Sequence, residues 1–365
     1  MIAAWKRFAD NMLGRGEATV TVPTFDGALK PNQQLETAQI TASFDAPEDL
    51  ASDGATVYVA NGPTVLALDG ASPREIRRFD RPITALCALP GDRLAVALDG
   101  REVRVFASAS GADDGLAFVG GAMKAVNALN PGPGGTLLAT DGSCAQPYGR
   151  WAHDLMEKGK TGRLLLLDLT TRQVREIAGG LAFAFGACAA GDDILVSESW
   201  RHRVLAVAPD GGKRAALDNL PAYPSRISPA ASGGFWLTAF VARTQLVEFV
   251  LRENGYRRRM MKEIPPEFWI APRLRSGRSF EEPMQGAHIK TMGVIKPWAP
   301  PRSYGLVIRL NAQGTPLYSL HSRVDGVNHG VVSAVEAKGA LYVLAKGPGR
   351  VLRLPLAELE AEMSA

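Results

Sequence analysis

This sequence predicts an all-β fold, a six-bladed β-propeller with a partly helical insertion in the fifth blade. Three observations carry that expectation. First, between Thr161 and Arg243 the chain twice repeats an apolar strand, a Gly/Asp turn and a second strand; residues 161–168 lead into 173–177, and 192–198 lead into 203–208 and the turn Pro209-Asp-Gly-Gly212. Apolar runs of about four to eight residues, punctuated by Asp, Gly and Pro, are strands of a meander rather than helices. Second, extending the phrase both ways gives six units, and a period of roughly 40 residues with about four strands each marks a propeller. Third, a strand at 39–44 precedes the first unit and another at 350–356 ends the last. The two are expected to pair in one blade and close the ring, which leaves no long edge open. A two-sheet sandwich is the alternative, but sandwiches seldom repeat at this period.

The units follow in order. The first covers 48–79, with strands at 55–60 and 64–68. The second covers 83–106, turning at Pro90-Gly-Asp92 and Asp99-Gly100. The third begins at Val126, turns at 131–135 and continues through 136–140 to Ile177. The fourth is 181–217; the fifth starts at Tyr223, contains Gly234-Phe-Trp-Leu-Thr238 and resumes at 304–320; the last is 327–356. The chain thus divides into an N-terminal extension (1–36), the propeller (37–356, with 246–303 as an insertion or lid) and a C-terminal tail (357–365). Within the insertion, 245–252 and 256–263 read as helical, and Pro265-Pro266 stops the second piece. An irregular stretch with Trp269, Phe280 and Trp298 follows. A long loop of this kind is a lid or binding element, or else a flap packed over one blade.

The 365 residues are 46% hydrophobic and 21% charged, a globular profile. The net charge of +4 is scattered apart from Arg257-Arg-Arg259 and 273–278, and no nucleic-acid-binding module accompanies it, so no nucleic-acid partner is expected. Cys87, Cys144 and Cys188 are too few and too widely spaced for a disulfide framework or a zinc site; Cys87 and Cys188 read as small core residues. The opening Met1-Ile-Ala-Ala-Trp-Lys-Arg-Phe lacks the continuous apolar core of a signal peptide. No segment approaches the roughly 20 apolar residues that span a bilayer. A cytoplasmic location is the expectation.

Common catalytic signatures fail. Gly159-Lys160-Thr161 imitates the end of a phosphate-binding loop, but Asp154 stands where the first glycine belongs and a strand follows instead of a helix. There is no Gly-x-Ser-x-Gly and no His-Glu-x-x-His. The five histidines are scattered singly, without metal-ligand spacing.

A positive signal comes from Thr161-Gly-Arg-Leu-Leu, Gly180-Leu-x-Phe…Gly186, Glu198-Ser-x-x-x-Arg203-Val, Leu220-Pro-x-Tyr-Pro224, Gly234-Phe-Trp236 and Ser319-Leu-His-Ser322…Asp325-Gly326. These segments resemble the strictosidine synthase-like family, which is related to the regucalcin/gluconolactonase and paraoxonase propellers. Hydrolytic members of the wider group hold calcium in the tunnel with one Glu, two Asn-type ligands and one Asp. Carried over, the resemblance assigns the Glu to Glu48 and one Asn to Asn127. The other two positions have become Phe185 and Ser225. Calcium favours six to eight hard oxygens, so an ion kept on Glu48 and Asn127 would be weakly held, and no other cofactor is expected. Arg226, beside the lost Asp, offers another solution: its guanidinium enters the tunnel and partners Glu48 in place of the metal. The acid that the family often carries in its last unit falls on Val332 or Ser333 and is absent. Glu336 nearby is expected to face solvent at a turn.

The expected function is therefore hydrolysis of a small lactone- or ester-like substrate in the tunnel mouth. Glu48, Asn127 and Arg226 are the catalytic candidates. Phe185, Ser225, Trp151, His153, Trp269 and Trp298 are the substrate-binding candidates. A non-catalytic ligand- or partner-binding propeller and a metal-free condensing synthase or lyase are the alternatives. The basic amphipathic segment 245–263 could lie on an anionic membrane surface, though a helix packed on its own domain is the plainer reading.

Overall fold

A computed structural model describes residues 22–70, 72–111, 113–118, 122–276 and 303–364. It is a six-bladed propeller: six four-stranded antiparallel sheets arranged in a ring. Five blades take their four strands in sequence order, blade 5 being interrupted by the insertion. The sixth takes its inner three strands from Val331–Ala337, Ala340–Ala345 and Arg350–Pro355 and its outer strand from Gln39–Ser43. Gln39 pairs with Arg353 and Ser43 with Arg350, so the two ends of the chain close the ring as the sequence predicts.

The inner strands are Pro47–Ser52, Ile83–Leu89, Val126–Pro131, Ala184–Ala190, Ala222–Pro229 and Val331–Ala337. Each touches the inner strands of both neighbouring blades, so together they line one axial tunnel. Between blades the core is apolar. Leu94, Val96 and Ala97 on the second strand of blade 2 are fully buried, as are Leu164 in blade 3 and Leu306 in blade 5. Continuous apolar runs suit strands covered on both faces.

Three elements depart from the sequence reading. Blade 2 has a fourth strand, Leu116–Phe118, beyond the expected end of that unit. The stretch before Thr161, to which the sequence reading assigns no element, contains the helix Trp151–Glu157, closed by Lys158 in a left-handed conformation. The start of the tail is the helix Leu356–Ser364. The extension also docks: Asn32 Nδ2 donates to Ser319 O at 2.7 Å and Asn32 Oδ1 accepts from His321 N at 3.0 Å, on the outer strand of blade 5.

The insertion leaves blade 5 after Phe235–Ala242 and forms helices Gln245–Arg252 and Asn254–Glu263. Thr244 caps the first by accepting from Val247 N at 3.3 Å. Val247 and Val250 turn inward. Glu248 fastens the helix to His202 of blade 4 and to Arg243 at the end of the blade 5 strand that precedes it, each at 3.2 Å. Residues 277–302 lie outside the described part, and Ser276 Oγ and Ser303 Oγ on either side of them are 3.3 Å apart.

Candidate functional site

Every inner strand slips register near its start. The residues left out of the ladder are Glu48, Thr84, Asn127, Phe185, the pair Ser225 and Arg226, and Val332. A bulge leaves its residue unpaired and re-aims it, and six bulges at the same height make a ring of freed groups around the tunnel. The four positions that the family resemblance singles out, together with Arg226, all fall on this ring.

Arg226 is buried and crosses the tunnel. Its Nη1 donates to the main-chain oxygens of Glu48 at 3.1 Å and Val332 at 3.4 Å, and its Nη2 to that of Thr84 at 2.9 Å. All three acceptors are bulge carbonyls. The nearest carboxylate is Asp49, at 3.1 Å from Nε. That contact is ionic only, since Nε has no hydrogen-bond partner. The Glu48 carboxylate stands farther off, at 4.0 Å. The guanidinium does enter the tunnel and reach Glu48, but it binds the Glu48 main chain and stands at the outer limit of an ion pair with its carboxylate; the nearer counter-charge is Asp49, which the sequence reading did not single out. The physical reason is the bulge, which turns successive side chains of blade 1 to different sides of the tunnel. Phe185 covers the guanidinium, with the ring centroid 5.3 Å from Cζ.

Burial raises Asp49 to about 6, although Arg226 and the amides of Leu86 and Leu50 pull it down. Burial opposes charge on Arg226 too, but Asp49, Tyr148 and Glu48 outweigh it, and Arg226 titrates above its ordinary value.

Glu48 has a different cation. Lys346, from the end of blade 6, places Nζ 2.7 and 2.6 Å from its two carboxylate oxygens. Tyr148 donates its hydroxyl to the same carboxylate. Burial, then the Glu48 charge, keeps the Tyr148 proton on well above its ordinary range. Sequence reasoning missed both partners, which come from loops remote from Glu48 in sequence.

Above these groups the mouth is aromatic. Tyr148 and Lys346 share a small pocket of about 20 Å³ with Trp151, Phe183, Phe185, Trp200 and others. Phe183 and Trp200 stack with centroids 4.4 Å apart. Phe183 holds φ at 62°, a left-handed conformation uncommon for an aromatic residue and typical of strained functional positions. Of the remaining expected contacts, His153 and Trp269 pack against each other at 4.7 Å, with Trp269 a buried residue of the insertion itself. Trp298 and Phe280 lie outside the described residues.

Asn127 and Ser225 do a different job. Asn127 is fully buried; its amide donates to Ala184 O at 2.9 Å and accepts from Thr140 Oγ1 at 2.7 Å. Ser225 Oγ bonds with Thr238 Oγ1 at 2.8 Å and donates to Val331 O at 3.3 Å. Thr84 donates to Val126 O at 2.7 Å, Ser197 to Ser225 O at 2.5 Å, Ser333 to Leu50 O at 3.4 Å, and Asp49 accepts from Leu86 N at 2.9 Å. One such bond joins each blade to the next, all the way round.

This donor set does not suit calcium. Glu48 is neutralised by Lys346, the Asn127 oxygen already accepts from Thr140, Phe185 offers hydrocarbon, and a guanidinium occupies the freed carbonyls. Among the described residues no three His, Cys, Asp or Glu side chains are grouped to hold a metal. Glu336, expected at a solvent-facing turn, instead lies within the strand Val331–Ala337, half-buried, accepting from Trp236 Nε1 and Ala231 N.

No family model matches the chain. Its sequence relatives include the adipocyte plasma membrane-associated proteins of Salmo salar (24% identical over 359 residues, covering 88% of this chain and 78% of that protein) and Bos taurus (27% over 354 residues, 88% and 79%). Strictosidine synthase-like 10 of Arabidopsis thaliana is 24% identical over 126 residues, 33% of this chain and 34% of that protein. Among solved structures, a gluconolactonase from Xanthomonas campestris superposes with a TM-score of 0.53 at 12% identity, over 88% of this chain and 91% of that one. Regucalcin from Agrobacterium tumefaciens, a calcium-binding protein, gives 0.52 at 10% identity, over 87% and 93%. The chain therefore has strictosidine synthase-like relatives in sequence and gluconolactonase and regucalcin propellers as neighbours in fold.

Proposed function

We propose that this chain is a metal-independent hydrolase of a small lactone- or ester-like substrate, acting where Glu48, Tyr148 and Lys346 meet in the tunnel mouth. The observation that carries the reading is the Glu48 carboxylate gripped by Lys346 Nζ and Tyr148, two residues that also line the aromatic pocket. Lactone hydrolysis needs a proton acceptor for the attacking water and donors at the developing oxyanion. Glu48 is the acceptor. Lys346 directs N–H groups at both Glu48 oxygens but has three in all, which leaves one for the oxyanion, while the Tyr148 hydroxyl stays on Glu48 and orients it. The water oxygen bonds to the carbonyl carbon while its proton passes to Glu48. The ring C–O bond then breaks, and that proton goes to the departing alkoxide. Aromatic walls favour a flat, apolar substrate. With about 20 Å³ open, its admission requires the side chains that line the pocket to move apart. The gluconolactonase among the structural neighbours supports the reaction class.

A screen of five- and six-membered lactones and aryl esters, with and without chelator, tests this reading. Turnover is expected to ignore the chelator and to fall by about 100-fold or more in Glu48→Gln, the scale of general-base catalysis. No turnover across the panel, or equal turnover in the variant, sinks it.

The second reading is a non-catalytic propeller that binds a small ligand or partner. It is favoured by the same Lys346 contact, which neutralises Glu48, and by the narrowness of the pocket. Saturable binding from the same panel without turnover would decide for it. Three free thiols, Cys87, Cys144 and Cys188, suit the reducing cytoplasm. Among the described residues no helix is long and apolar enough to cross a membrane. Exposed Phe249, Tyr256 and Ile264, with Arg258 and Arg259 on the same insertion, support contact with an anionic lipid surface.

A further inference from the structure

The tunnel continues beyond Arg226. Residues 49–52, 86–88, 129–131, 226–231 and 333–336, the downstream halves of five inner strands, line a second chamber of about 290 Å³. That is near the lower limit for small-molecule sites, about 300 Å³. It opens at the end of the propeller opposite the aromatic mouth.

Apart from Arg226 Nε, which faces Asp49, its side-chain donors are spent. Ser52 Oγ donates to Glu336 O at 2.8 Å and Ser228 Oγ to Ala334 O at 2.6 Å. Asn130 uses both amide protons, on Ala187 O at 2.7 Å and Ile227 O at 2.8 Å. The Asn130 oxygen has no hydrogen-bond partner among the described residues, so an acceptor is left open, while the open Arg226 Nε–H is turned to Asp49. Charge points the same way. The chamber holds two carboxylates, Asp49 and Glu336, and one guanidinium, Arg226, which is paired with Asp49. No cation pairs with Glu336 among the described residues; its oxygens accept only from Trp236 Nε1 at 2.5 Å and Ala231 N at 3.0 Å. These bonds fix the carboxylate in place without neutralising it. Leu50, Leu86, Leu129 and Ile227 supply apolar walls.

We propose that this chamber is a second binding site, for a small organic cation: an ammonium or amidinium carried on a compact apolar body. The positive head sits against Glu336, the apolar body lies along the leucines, and the Asn130 oxygen faces the chamber from the opposite blade. The proposal stands whether or not the mouth is catalytic.

Isothermal titration calorimetry with benzylamine and benzamidine, against benzyl alcohol and benzoate, tests it on the full chain. The cations are expected to bind and benzoate to give no heat. Glu336→Gln, which keeps an acceptor for Trp236, is expected to weaken the cations by about tenfold or more, the loss of a charge-assisted contact. Ala88→Phe, which fills the chamber, is expected to abolish binding. No heat with either cation, equal affinity for benzyl alcohol, or binding undiminished in Glu336→Gln overturns the proposal. Should Ala88→Phe fail to fold, the Glu336→Gln comparison alone decides.

Discussion

Arg226 Nε lies 3.1 Å from Asp49 Oδ1 across the tunnel, an ion pair in which both partners are almost wholly buried. Removing one member of such a pair strands the other charge, which costs about 3–5 kcal/mol, while removing both often costs far less. Arg226→Met should therefore destabilise the fold by about that amount. Arg226→Met with Asp49→Asn should recover part of the loss. Urea unfolding of the two single variants and the double variant measures the coupling; strict additivity would show that the two groups do not depend on each other.

The same pair gives stability a distinctive pH dependence. Asp49 titrates near 3.8 when exposed and is raised to about 6 by burial. Between those values the folded chain holds a proton that the unfolded chain has released. Its contribution is fully present below about pH 4 and is lost as the pH rises through 6, by up to about 3 kcal/mol. Stability measured from pH 4 to 7 should fall on this account, and the slope should flatten in Asp49→Asn.

The insertion answers to acid in the opposite sense. Burial alone would raise Glu248, but His202 and Arg243 outweigh it and bring it to about 2. Burial keeps His202 neutral at pH 7, so the charge beside Glu248 there is that of Arg243. This contribution is present above about pH 4.5 and is lost as the pH falls toward 2. Glu248→Gln should make 245–263 cleavable by limited proteolysis at pH 7 while the blades stay resistant. Unchanged cleavage would show that the helices are held by Val247 and Val250 alone.

The architecture was legible because strands buried on both faces are written as apolar runs, with Gly and Asp turns at regular intervals. Ring closure was legible for the same reason, from two unpaired strands at opposite ends of the chain. The helix Trp151–Glu157 was not, since no Ser, Thr, Asp or Asn cap announces it. The family positions Glu48, Asn127, Phe185 and Ser225 were found by resemblance, and the structure adds the reason that they share a height: each sits on a bulge. Lys346 escaped notice because it lies 298 positions from Glu48 and meets it only when the ring closes. Asp49 escaped notice because no periodic pattern reveals where a strand slips by one residue and sends its neighbour to the other side.

Asn127 separates a junction between blades from a metal ligand. Asn127→Ala leaves Ala184 O and the Thr140 hydroxyl without their buried partner, worth about 1–3 kcal/mol of stability. The loss should be the same with calcium or with chelator present. A loss seen only with calcium would return Asn127 to the role of a ligand.

A guanidinium holds the bulge carbonyls of Glu48, Thr84 and Val332 on the ring of positions where the sequence resemblance implies a calcium ion. Thermal unfolding with millimolar calcium and with excess chelator tests this most directly. An ion bound at about 100 times its Kd would add about 2.7 kcal/mol and raise Tm by several degrees. The account predicts superimposable curves in the two conditions. A rise in Tm with calcium that chelator reverses would contradict it.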